Sequence, residues 1–368
     1  MNKTLKFGVI GLGFGAQIHV PALKSLKGVN VAAVLGKNEA KTREIAAKLK
    51  IPTACCTFRD FFRQKLDAVS IALPPDQSGK AICMALKHGL PVLAEKPLTI
   101  SYKNAKYLMK LAKGRITAID FQFPELDVFK KLKNLIESKR FGSIRHVQIM
   151  WMVESRSHKN KIWSWKTDAN LHGGVVTLLG SHLLYLIEWF FGPVNGLYAH
   201  MSSKSAVLFA PKNKVPAEDL VNIIFNHPKI SCIAASVSNA APSGIGHLWE
   251  INCDKGTIVL HNPTNDYMNG FVLKIRTAKG EKTISEQKKI DFSDGRLAPF
   301  RSLAKRFVEA IKTGKPMAPD FKSGARVQFL MEALYASARP SPAERDEAKQ
   351  LMPRQGGATF ASGKHIKV

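Results

Sequence analysis

Short apolar runs alternate with amphipathic stretches through the first third of the chain. Each apolar run has the length of a buried strand, and the stretches between them, such as Asn38–Lys50, repeat apolar residues with helical spacing. The runs are "KFGVI", "VNVAAVLG", "LDAVSIALPP", "LPVLAEKP" and "ITAIDF". Strands that alternate with helices at this pace predict a parallel sheet of βαβ units. We therefore predict one Rossmann-like α/β domain over residues 1–120.

The pattern changes after residue 120. A predicted amphipathic helix ending near Gly142, the strand "RHVQIMWMV" and a glycine-rich helix over Gly174–Phe191 precede a succession of β-rich stretches. Strands joined by short turns predict an antiparallel sheet, and helices near Phe300–Thr313 and Ser323–Ala338 complete an α+β domain over 121–338. Proline, glutamine, glycine and serine dominate beyond Pro340, so we expect a disordered tail over 339–368.

The first strand runs into a glycine-rich turn and then into a helix, in the stretch "GVIGLGFGAQIH". Gly11 can form the tight turn, Gly13 lets the backbone approach a bound group, and Ala16 is small enough for the helix to lie against the strand. The amide groups at the helix start would then face a pyrophosphate. The pattern predicts a dinucleotide site, and a glycine turn without a ligand is the alternative.

The end of the second predicted strand bears on the choice of dinucleotide. A site for NAD usually carries an acid there, but the stretch reads Leu35, Gly36, Lys37, Asn38. Lys37 can instead meet the 2′-phosphate of NADP, or it can be a solvated loop cation. We predict that NADP is preferred and that NAD is the second choice.

Two further motifs, "LPPD" (Leu73–Asp76) and "AEKP" (Ala94–Pro97), come at the ends of neighbouring predicted strands. Ligands of open α/β sheets bind outside the carboxyl ends of the strands. Lys96 is therefore placed to bind both a cofactor ribose and a reacting hydroxyl group, and a lysine that points to solvent after a strand is the alternative.

These motifs together resemble the Gfo/Idh/MocA family of oxidoreductases, named for glucose-fructose oxidoreductase and inositol dehydrogenase. The resemblance rests on the order and spacing of "GVIGLGFGAQIH", "VSIALPP", "AEKP" and "GGVVTLLGSHLLYLIEWFFG", and it extends to about Ala338. It implies an N-terminal Rossmann domain and a C-terminal domain built on a large, open, mostly antiparallel sheet. It also implies homodimers or homotetramers formed through that sheet, and a Lys96–Pro97 peptide that is often cis.

The resemblance assigns roles residue by residue. Lys96 and His182 match the family's catalytic residues, and an imidazole titrates near neutral pH, which suits proton transfer. Trp165, Lys166, Asp168 and Tyr185 are candidates to line the substrate pocket, while packing for the tryptophan and solvent exposure for the charges are the alternatives. No metal site is expected. The predicted cofactor-binding residues are Gly11, Leu12, Gly13, Phe14, Gly15, Gly36, Lys37, Leu73, Pro74, Glu95, Lys96 and Gln122.

The second catalytic segment departs from the family pattern G-G-G-x-x-x-D-x-G-x-H-x-x-D. His172 stands at the first glycine, and Leu178 and Tyr185 stand at the two aspartates. Three alternatives remain: Lys96 and His182 suffice, with or without help from Tyr185; the chemistry is altered; or hydride transfer is lost. The last alternative would leave a redox-inactive NADP(H)-binding regulatory or scaffold protein.

Charge and cysteine content bear on whether the protein binds nucleic acid and on its compartment, but they do not identify a substrate. The chain has 55 basic and 28 acidic residues, a net charge of +27, but the excess is spread out and accompanies no nucleic-acid-binding module. Five scattered cysteines without C-x-x-C spacing fit a reducing cytoplasm. We expect a cytoplasmic enzyme without nucleic-acid or membrane partners. Its predicted reaction moves a hydride between nicotinamide and a hydroxyl or keto carbon of a sugar, polyol or nucleotide sugar.

Overall fold

The computed structural model describes residues 4–264, 266–287, 294–338 and 366–367. The chain forms two compact units, Met1–Leu126 with Ile290–Gln328, and Asp127–Lys289 with Phe329–Val368. This division differs from the predicted boundaries at 120 and 338, because the segment Ile290–Gln328 belongs with the first unit.

The first unit is built on a parallel sheet, as the alternating pattern predicted. Six strands of the described chain lie in the order β3-β2-β1-β4-β5-β6, and every neighbouring pair is parallel. The order changes direction between β1 and β4, which is where open α/β sheets bind ligands. The strands are β1 (Leu5–Ile10), β2 (Val29–Leu35), β3 (Thr53–Cys55), β4 (Ala68–Ile71), β5 (Val92–Ala94) and β6 (Thr117–Ile119).

Helices connect these strands and begin at residues that suit helix starts. Asn38, Thr57 and Ser101 each accept a hydrogen bond from a backbone amide three residues later, which satisfies an otherwise free donor. A π-helical turn over Gly15–His19 leads directly into the first α-helix. The helices are α1 (Val20–Lys24), α2 (Glu39–Lys48), α3 (Phe58–Phe62), α4 (Pro75–Lys87) and α5 (Tyr102–Leu111), and a 3₁₀ helix spans Phe123–Glu125.

The second unit is built on a mostly antiparallel sheet, which confirms the predicted α/β fold class. Among the described residues, nine strands lie in the order β14-β13-β12-β11-β7-β10-β9-β8-β15, and only β7 and β10 pair in parallel. They are β7 (Ile144–Met152), β8 (Gly196–Ser202), β9 (Leu220–Asn226), β10 (Cys232–Ser238), β11 (Gly246–Cys253), β12 (Gly256–Asn262), β13 (Val272–Thr277), β14 (Gly280–Glu286) and β15 (Ile366–Lys367).

One face of this sheet is covered and the other is more open. Val147, Ile149 and Trp151 alternate inward along β7, and the Phe190 ring lies edge-on to Trp249 with centroids 5.4 Å apart. Tyr198 and Ile224, paired across β8 and β9, are 45% and 53% exposed. The helices of this unit are α6 (Asp127–Glu137), α7 (Arg156–Lys159), α8 (Ser181–Phe191) and α9 (Lys204–Val207); 3₁₀ helices span Trp165–Thr167 and Ala169–Leu171, and a π-helical turn spans Val176–Gly180.

The helix α10 (Leu297–Thr313) belongs to the first unit although the sequence pattern placed it in the second domain. Phe300, Leu303 and Phe307 are fully buried in the same core as Phe7 of β1. The Phe7 and Phe307 rings meet edge-on at 6.2 Å. The following helix, α11 (Phe321–Ala338), contains the point at which the two units divide.

Shortening the Phe307 side chain tests this assignment. We expect Phe307→Leu to lower the unfolding free energy by about 1–2 kcal/mol, because the ring contact with Phe7 and part of the buried volume are lost. The matched control is Tyr107→Leu, since Tyr107 is 53% exposed in the same unit. Thermal unfolding midpoints measure both, and equal shifts for the two variants would contradict the placement of α10.

The predicted disordered tail over 339–368 lies almost entirely outside the described residues. The two residues described there, Ile366 and Lys367, pair with Leu197 and Gly196 of β8. At these two positions the prediction of disorder is wrong, because backbone hydrogen bonds to β8 hold the chain.

The segment Ala169–Phe191 is long and apolar enough to cross a membrane, which the sequence analysis did not anticipate. Within the protein, 72% of its most apolar window is buried. Burial of this kind is typical of a core helix that passes the same test of length and composition.

Candidate functional site

The glycine turn after β1 is shaped by close backbone contacts on one side and open space on the other. Gly11 has φ +100°, and a Cβ there would overlap the carbonyl oxygen of Ala72. A Cβ at Gly13 would meet nothing within 4 Å. The open side leaves room for a ligand against the backbone, as predicted for Gly13. The close packing predicted for Ala16 falls instead to Gly15, whose Cβ would lie 3.2 Å from Ala72 and 3.3 Å from Val9.

The end of β2 lies beside this turn. A Cβ at Gly36 would overlap the side chain of Leu12, so the two predicted cofactor-binding residues are neighbours. Lys37 is exposed, and the Asn38 side chain is occupied in capping α2. Glu39, the nearest acid along the chain, forms an exposed ion pair with Arg43. The stretch Leu35–Asn38 therefore has no carboxylate that could bind an adenosine ribose.

Leu73 and Pro74 lie at the end of β4, again beside the glycine turn. A Cβ at Gly11 would come within 3.2 Å of the Leu73 side chain. Pro74 is the N-cap of α4, and Pro75 is its first residue, where the missing N–H leaves no donor unsatisfied.

The AEKP motif follows β5 directly. The Glu95 amide donates to the Ile71 carbonyl oxygen at 2.8 Å, which ties the motif to the end of β4. Lys96 is half-buried, and the Lys96–Pro97 peptide is cis, as the family resemblance implied.

A buried polar cluster that sequence reasoning missed lies beneath this motif. His19, fully buried, contacts Ser70 Oγ through Nδ1 at 2.7 Å and Glu95 Oε1 through Nε2 at 3.1 Å. Asp120, one residue past β6 and 1% exposed, joins them, and the ligand-type atoms of His19, Glu95 and Asp120 all lie within 4.8 Å of one another. Of the described histidine, cysteine and acidic side chains, these three form the one group with metal-ligand spacing.

The charges in this cluster are unequal. Burial alone would raise the pKa of Glu95, but the opposing interactions, of which the hydrogen bond to His19 is the largest, together outweigh it, so the pKa is lowered. Burial, followed by the Glu95 charge, raises the pKa of Asp120 well above its ordinary value. When both acids are ionised, neither Asp120 oxygen has a hydrogen-bond donor, whereas protonated Asp120 donates to Glu95. Asp120 is therefore the acid of the pair that holds a proton more readily.

Gln122, predicted to lie beside the cofactor, carries an unsatisfied group. The side chain is 4% exposed, and Oε1 has no hydrogen-bond partner among the described residues. A buried amide oxygen without a donor costs free energy unless a ligand or water supplies one. Gln122 Oε1 is therefore a free acceptor for a ligand or water, and the backbone at Gly13 leaves room for a ligand.

Phe14 is held by a residue from the distant end of the chain. The Arg296 guanidinium lies over the Phe14 ring at 4.9 Å, and Asp294 binds that guanidinium through Nε and Nη2 at 2.9 and 2.6 Å. Sequence reasoning missed Arg296, because 282 positions separate it from the glycine turn. Only the return of α10 to the first unit brings them together.

His182 lies in the second unit, in the first turn of α8, and is 7% exposed. The π-helical turn over Val176–Gly180 leads directly into α8, and distortions of this kind are frequent at functional sites. Gly173 and Gly174 make the approach to this helix possible. A Cβ at Gly173 would overlap the Trp165 carbonyl oxygen, and one at Gly174 would overlap the Glu218 carboxylate.

Glu218 is a second acid that sequence reasoning missed, and its side chain is half-buried. It accepts hydrogen bonds from the Val176 amide at 3.1 Å and from the Tyr335 hydroxyl at 2.9 Å. Burial raises the pKa of Glu218 to about 7, although these hydrogen bonds oppose the increase. The carboxyl group therefore changes charge in the neutral pH range at the start of the His182 helix.

The loop before the glycine pair contains the three other substrate candidates. Asp168 is 1% exposed, caps the Asn170 amide at 3.0 Å and pairs with Lys214 at 3.6 Å. These contacts favour a structural role for Asp168. Trp165 is half-buried and Lys166 exposed, and their carbonyl groups, rather than their side chains, border Gly173.

The positions that depart from the family pattern are accommodated locally. His172 has φ 57°, a left-handed conformation that glycine adopts at lower cost, which accounts for glycine in the pattern. Leu178 and Tyr185 are both half-buried on the His182 helix. Neither can act as a carboxylate.

Two family models match the chain and together cover most of it. The model described as "Oxidoreductase family, NAD-binding Rossmann fold" matches residues 5–119, and the one described as "Oxidoreductase family, C-terminal alpha/beta domain" matches residues 133–342. The chain belongs to the Gfo/Idh/MocA oxidoreductase family. The predicted family and fold class are thereby confirmed.

Relatives and solved structures agree with membership of the Gfo/Idh/MocA family. The chain is 28% identical over 345 residues to an uncharacterized oxidoreductase of Synechocystis sp., covering 90% of this chain and 93% of that protein. It is 26% identical over 199 residues to D-xylose 1-dehydrogenase (NADP(+)) 2 of Haloferax volcanii, covering 53% and 60%. Its fold is similar to levoglucosan dehydrogenase solved with NADH and levoglucosan (TM-score 0.79, 18% identity, 91% and 96% covered). It is also similar to an Agrobacterium radiobacter oxidoreductase solved with NAD+, L-tartaric acid and magnesium (TM-score 0.76, 19% identity, 91% and 96% covered).

Proposed function

We propose that this protein is an NADP-preferring oxidoreductase that transfers a hydride between nicotinamide C4 and a hydroxyl or keto carbon of a sugar, polyol or nucleotide sugar. The observation that carries the proposal is the convergence at the carboxyl ends of β1, β4 and β5 of an open glycine turn and Lys96, near the unsatisfied amide of Gln122. One relative named as a D-xylose dehydrogenase and a fold shared with levoglucosan dehydrogenase support a sugar-type substrate. The redox-inactive alternative has no comparable support.

In this proposal, different residues of the chain bind the cofactor, position the reacting oxygen and transfer the proton. The backbone at Gly11, Gly13 and Gly15 would hold the pyrophosphate of a bound dinucleotide, and the Gln122 amide and Glu95 would help to hold its nicotinamide end. The Lys96 ammonium donates a hydrogen bond to the reacting oxygen and fixes its position. The His182 imidazole takes the hydroxyl proton during oxidation and returns it during reduction. A bound nicotinamide supplies or accepts the hydride.

We also propose a cytoplasmic homodimer or homotetramer. The described cysteines are all free, which supports a reducing compartment. The exposed apolar pair Tyr198 and Ile224 supports association through the open sheet face. Light scattering of the purified protein measures the oligomeric state, and a monomer at micromolar concentration would contradict this proposal.

Titration with NADPH and NADH, followed by nicotinamide fluorescence, tests cofactor choice. We expect NADPH to bind about tenfold more tightly than NADH, and Lys37→Ala to remove most of this difference, because one charged contact to the 2′-phosphate is lost. NADH affinity should change little. The control is Lys41→Ala, which removes an exposed lysine four residues later on α2.

Two results of this titration would contradict the proposed function. Equal affinities for the two nucleotides would refute NADP preference while leaving the dinucleotide site intact. If neither nucleotide binds, the oxidoreductase proposal fails. Where NADPH binds, its formation from NADP+ is then measured with aldoses, anhydrosugars, polyols and nucleotide sugars, and inactivity with every class would refute the substrate proposal.

A further inference from the structure

Two carboxyl groups lie side by side at the carboxyl ends of β5 and β6, immediately next to Lys96. The Asp120 amide donates to the Ala94 carbonyl oxygen at 2.9 Å, so Asp120 is held beside the residue that precedes Glu95. Asp120 is 1% exposed, and its oxygens lie within 4.8 Å of the ligand-type atoms of Glu95 and His19. Two acids this close in a buried site cannot both be ionised at low cost. They therefore share one proton.

His19 fixes which acid keeps the negative charge. Its Nε2 lies 3.1 Å from Glu95 Oε1, and because a carboxylate only accepts, Nε2–H is the donor. Ser70 Oγ engages the other nitrogen at 2.7 Å, so both ring nitrogens are occupied. The Phe300 ring stacks on His19 with centroids 4.1 Å apart, which keeps water from the imidazole. The charge thus belongs to Glu95 and the proton to Asp120.

The cationic side chains that face the two acids are Lys96 and Arg296, and His19 contributes the hydrogen bond from Nε2–H. Arg296 is already bound by Asp294 through two nitrogen atoms. The Lys96 charge acts on Glu95 and on Asp120, favouring the ionised form of each. The single negative charge of the pair is therefore the counter-charge of Lys96.

We propose that His19, Glu95 and Asp120 form a positioning unit that holds one shared proton and one net negative charge against Lys96. The unit keeps Lys96 as a charged, fixed hydrogen-bond donor to the reacting oxygen, and in this respect it rests on the proposed oxidoreductase function. Glu95 and Asp120 do not touch substrate in this scheme. They act through Lys96.

The proposal predicts opposite results for two isosteric variants. In Asp120→Asn the amide copies the protonated acid and donates to Glu95, so Lys96 keeps its counter-charge. In Glu95→Gln alone Asp120 can ionise and take over that charge, since the Glu95 charge no longer opposes it. In the double variant Glu95→Gln/Asp120→Asn the charge is lost, and the fraction of neutral amine at Lys96 rises by about tenfold, which is the effect of one charge at close range. The readout is the rate of Lys96 acetylation at pH 8, measured by mass spectrometry relative to the exposed Lys41 in the same sample. Asp120→Asn should stay within about twofold of the unaltered protein, and kcat/KM should follow the same order.

Infrared spectroscopy provides an independent readout of the shared proton. The measurement is made in a Glu218→Gln background, because the Glu218 carboxyl group, with a pKa of about 7, would contribute a protonated-carboxyl band of its own. This protein should show a protonated-carboxyl band at pH 7 that Asp120→Asn removes. Glu125→Gln is the matched control, because Glu125 is a buried acid of the same unit whose partners are Arg306 and Ser302. It should leave both the band and Lys96 acetylation unchanged.

Three outcomes would overturn the proposal. The first is unchanged Lys96 acetylation in the correctly folded double variant Glu95→Gln/Asp120→Asn. The second is a protonated-carboxyl band that Asp120→Asn does not remove in the Glu218→Gln background. The third is tight binding of Zn²⁺ that Glu95→Gln abolishes, since the three side chains would then be metal ligands. Acetylation and the infrared band require no turnover, so absence of oxidoreductase activity would refute the proposed function without deciding the state of this unit.

Discussion

Replacing His182 with glutamine is expected to lower kcat/KM for sugar oxidation by about 10²- to 10⁴-fold, the usual contribution of one general acid–base group. Glutamine fills a similar volume in the buried first turn of α8 but cannot take a proton. The dissociation constant for NADPH, measured by fluorescence, should stay within about threefold, because in our proposal the cofactor is bound by residues of the first unit. The loss should therefore appear in kcat.

The control for this prediction is His200→Gln, which alters an exposed histidine on β8 of the same unit. It should leave kcat unchanged. Full activity in folded His182→Gln would show that another group carries the proton. Tyr185→Phe would then be measured, since Tyr185 lies on the same helix at the position of the family's second aspartate.

Local sequence patterns were sufficient for the parallel sheet and for the glycine turn. The turn is specified by neighbours in sequence: Gly11 needs positive φ, and Gly13 must leave one side open. The AEKP motif likewise follows β5 without interruption. Features fixed by residues a few positions apart are therefore predictable from one sequence.

The polar cluster and α10 could not be predicted in this way. His19, Glu95 and Asp120 come from three different βα segments, and an isolated histidine on an apolar helix gives no sign of its partners. The helix α10 has the same amphipathic pattern whichever sheet it covers, so its pattern predicts a helix but not its unit. For Asp120 alone the sequence offered an indication of a site, because an acidic residue directly follows the buried strand β6.

Glu218 links the local structure around His182 to pH. The ordinary pKa of a glutamic acid is 4.5, and in the folded protein burial raises it to about 7. A group whose pKa is higher in the folded state stabilises the fold fully below its unfolded pKa, and this stabilisation is lost as pH rises through the folded value. Between pH 4.5 and pH 8, Glu218 therefore lowers the unfolding free energy by about 3 kcal/mol.

Glu218→Gln should remove this dependence, because glutamine can still accept from Val176 and Tyr335 but does not ionise. We expect its unfolding free energy, relative to the unaltered protein, to rise by about 3 kcal/mol between pH 4.5 and pH 8. Denaturant unfolding at several pH values measures the difference, in which groups common to both proteins cancel. Asp219 lies next to Glu218 and adds to the increase in its pKa, so Asp219 must remain unaltered.

Glu137→Gln is the matched control, since Glu137 is an exposed acid of the same unit paired with Lys133 at 3.0 Å. Its small effect on the unfolding free energy should not change across this pH range. A pH-independent effect of Glu218→Gln would mean that Glu218 has one charge state throughout. If the predicted pH dependence of the unfolding free energy is found, ionisation of Glu218 above neutral pH places a negative charge at the start of the His182 helix. The helix dipole stabilises this charge, whereas its burial destabilises it. A change in kcat that tracks this ionisation in the unaltered protein, and is absent in Glu218→Gln, would extend the effect from stability to catalysis.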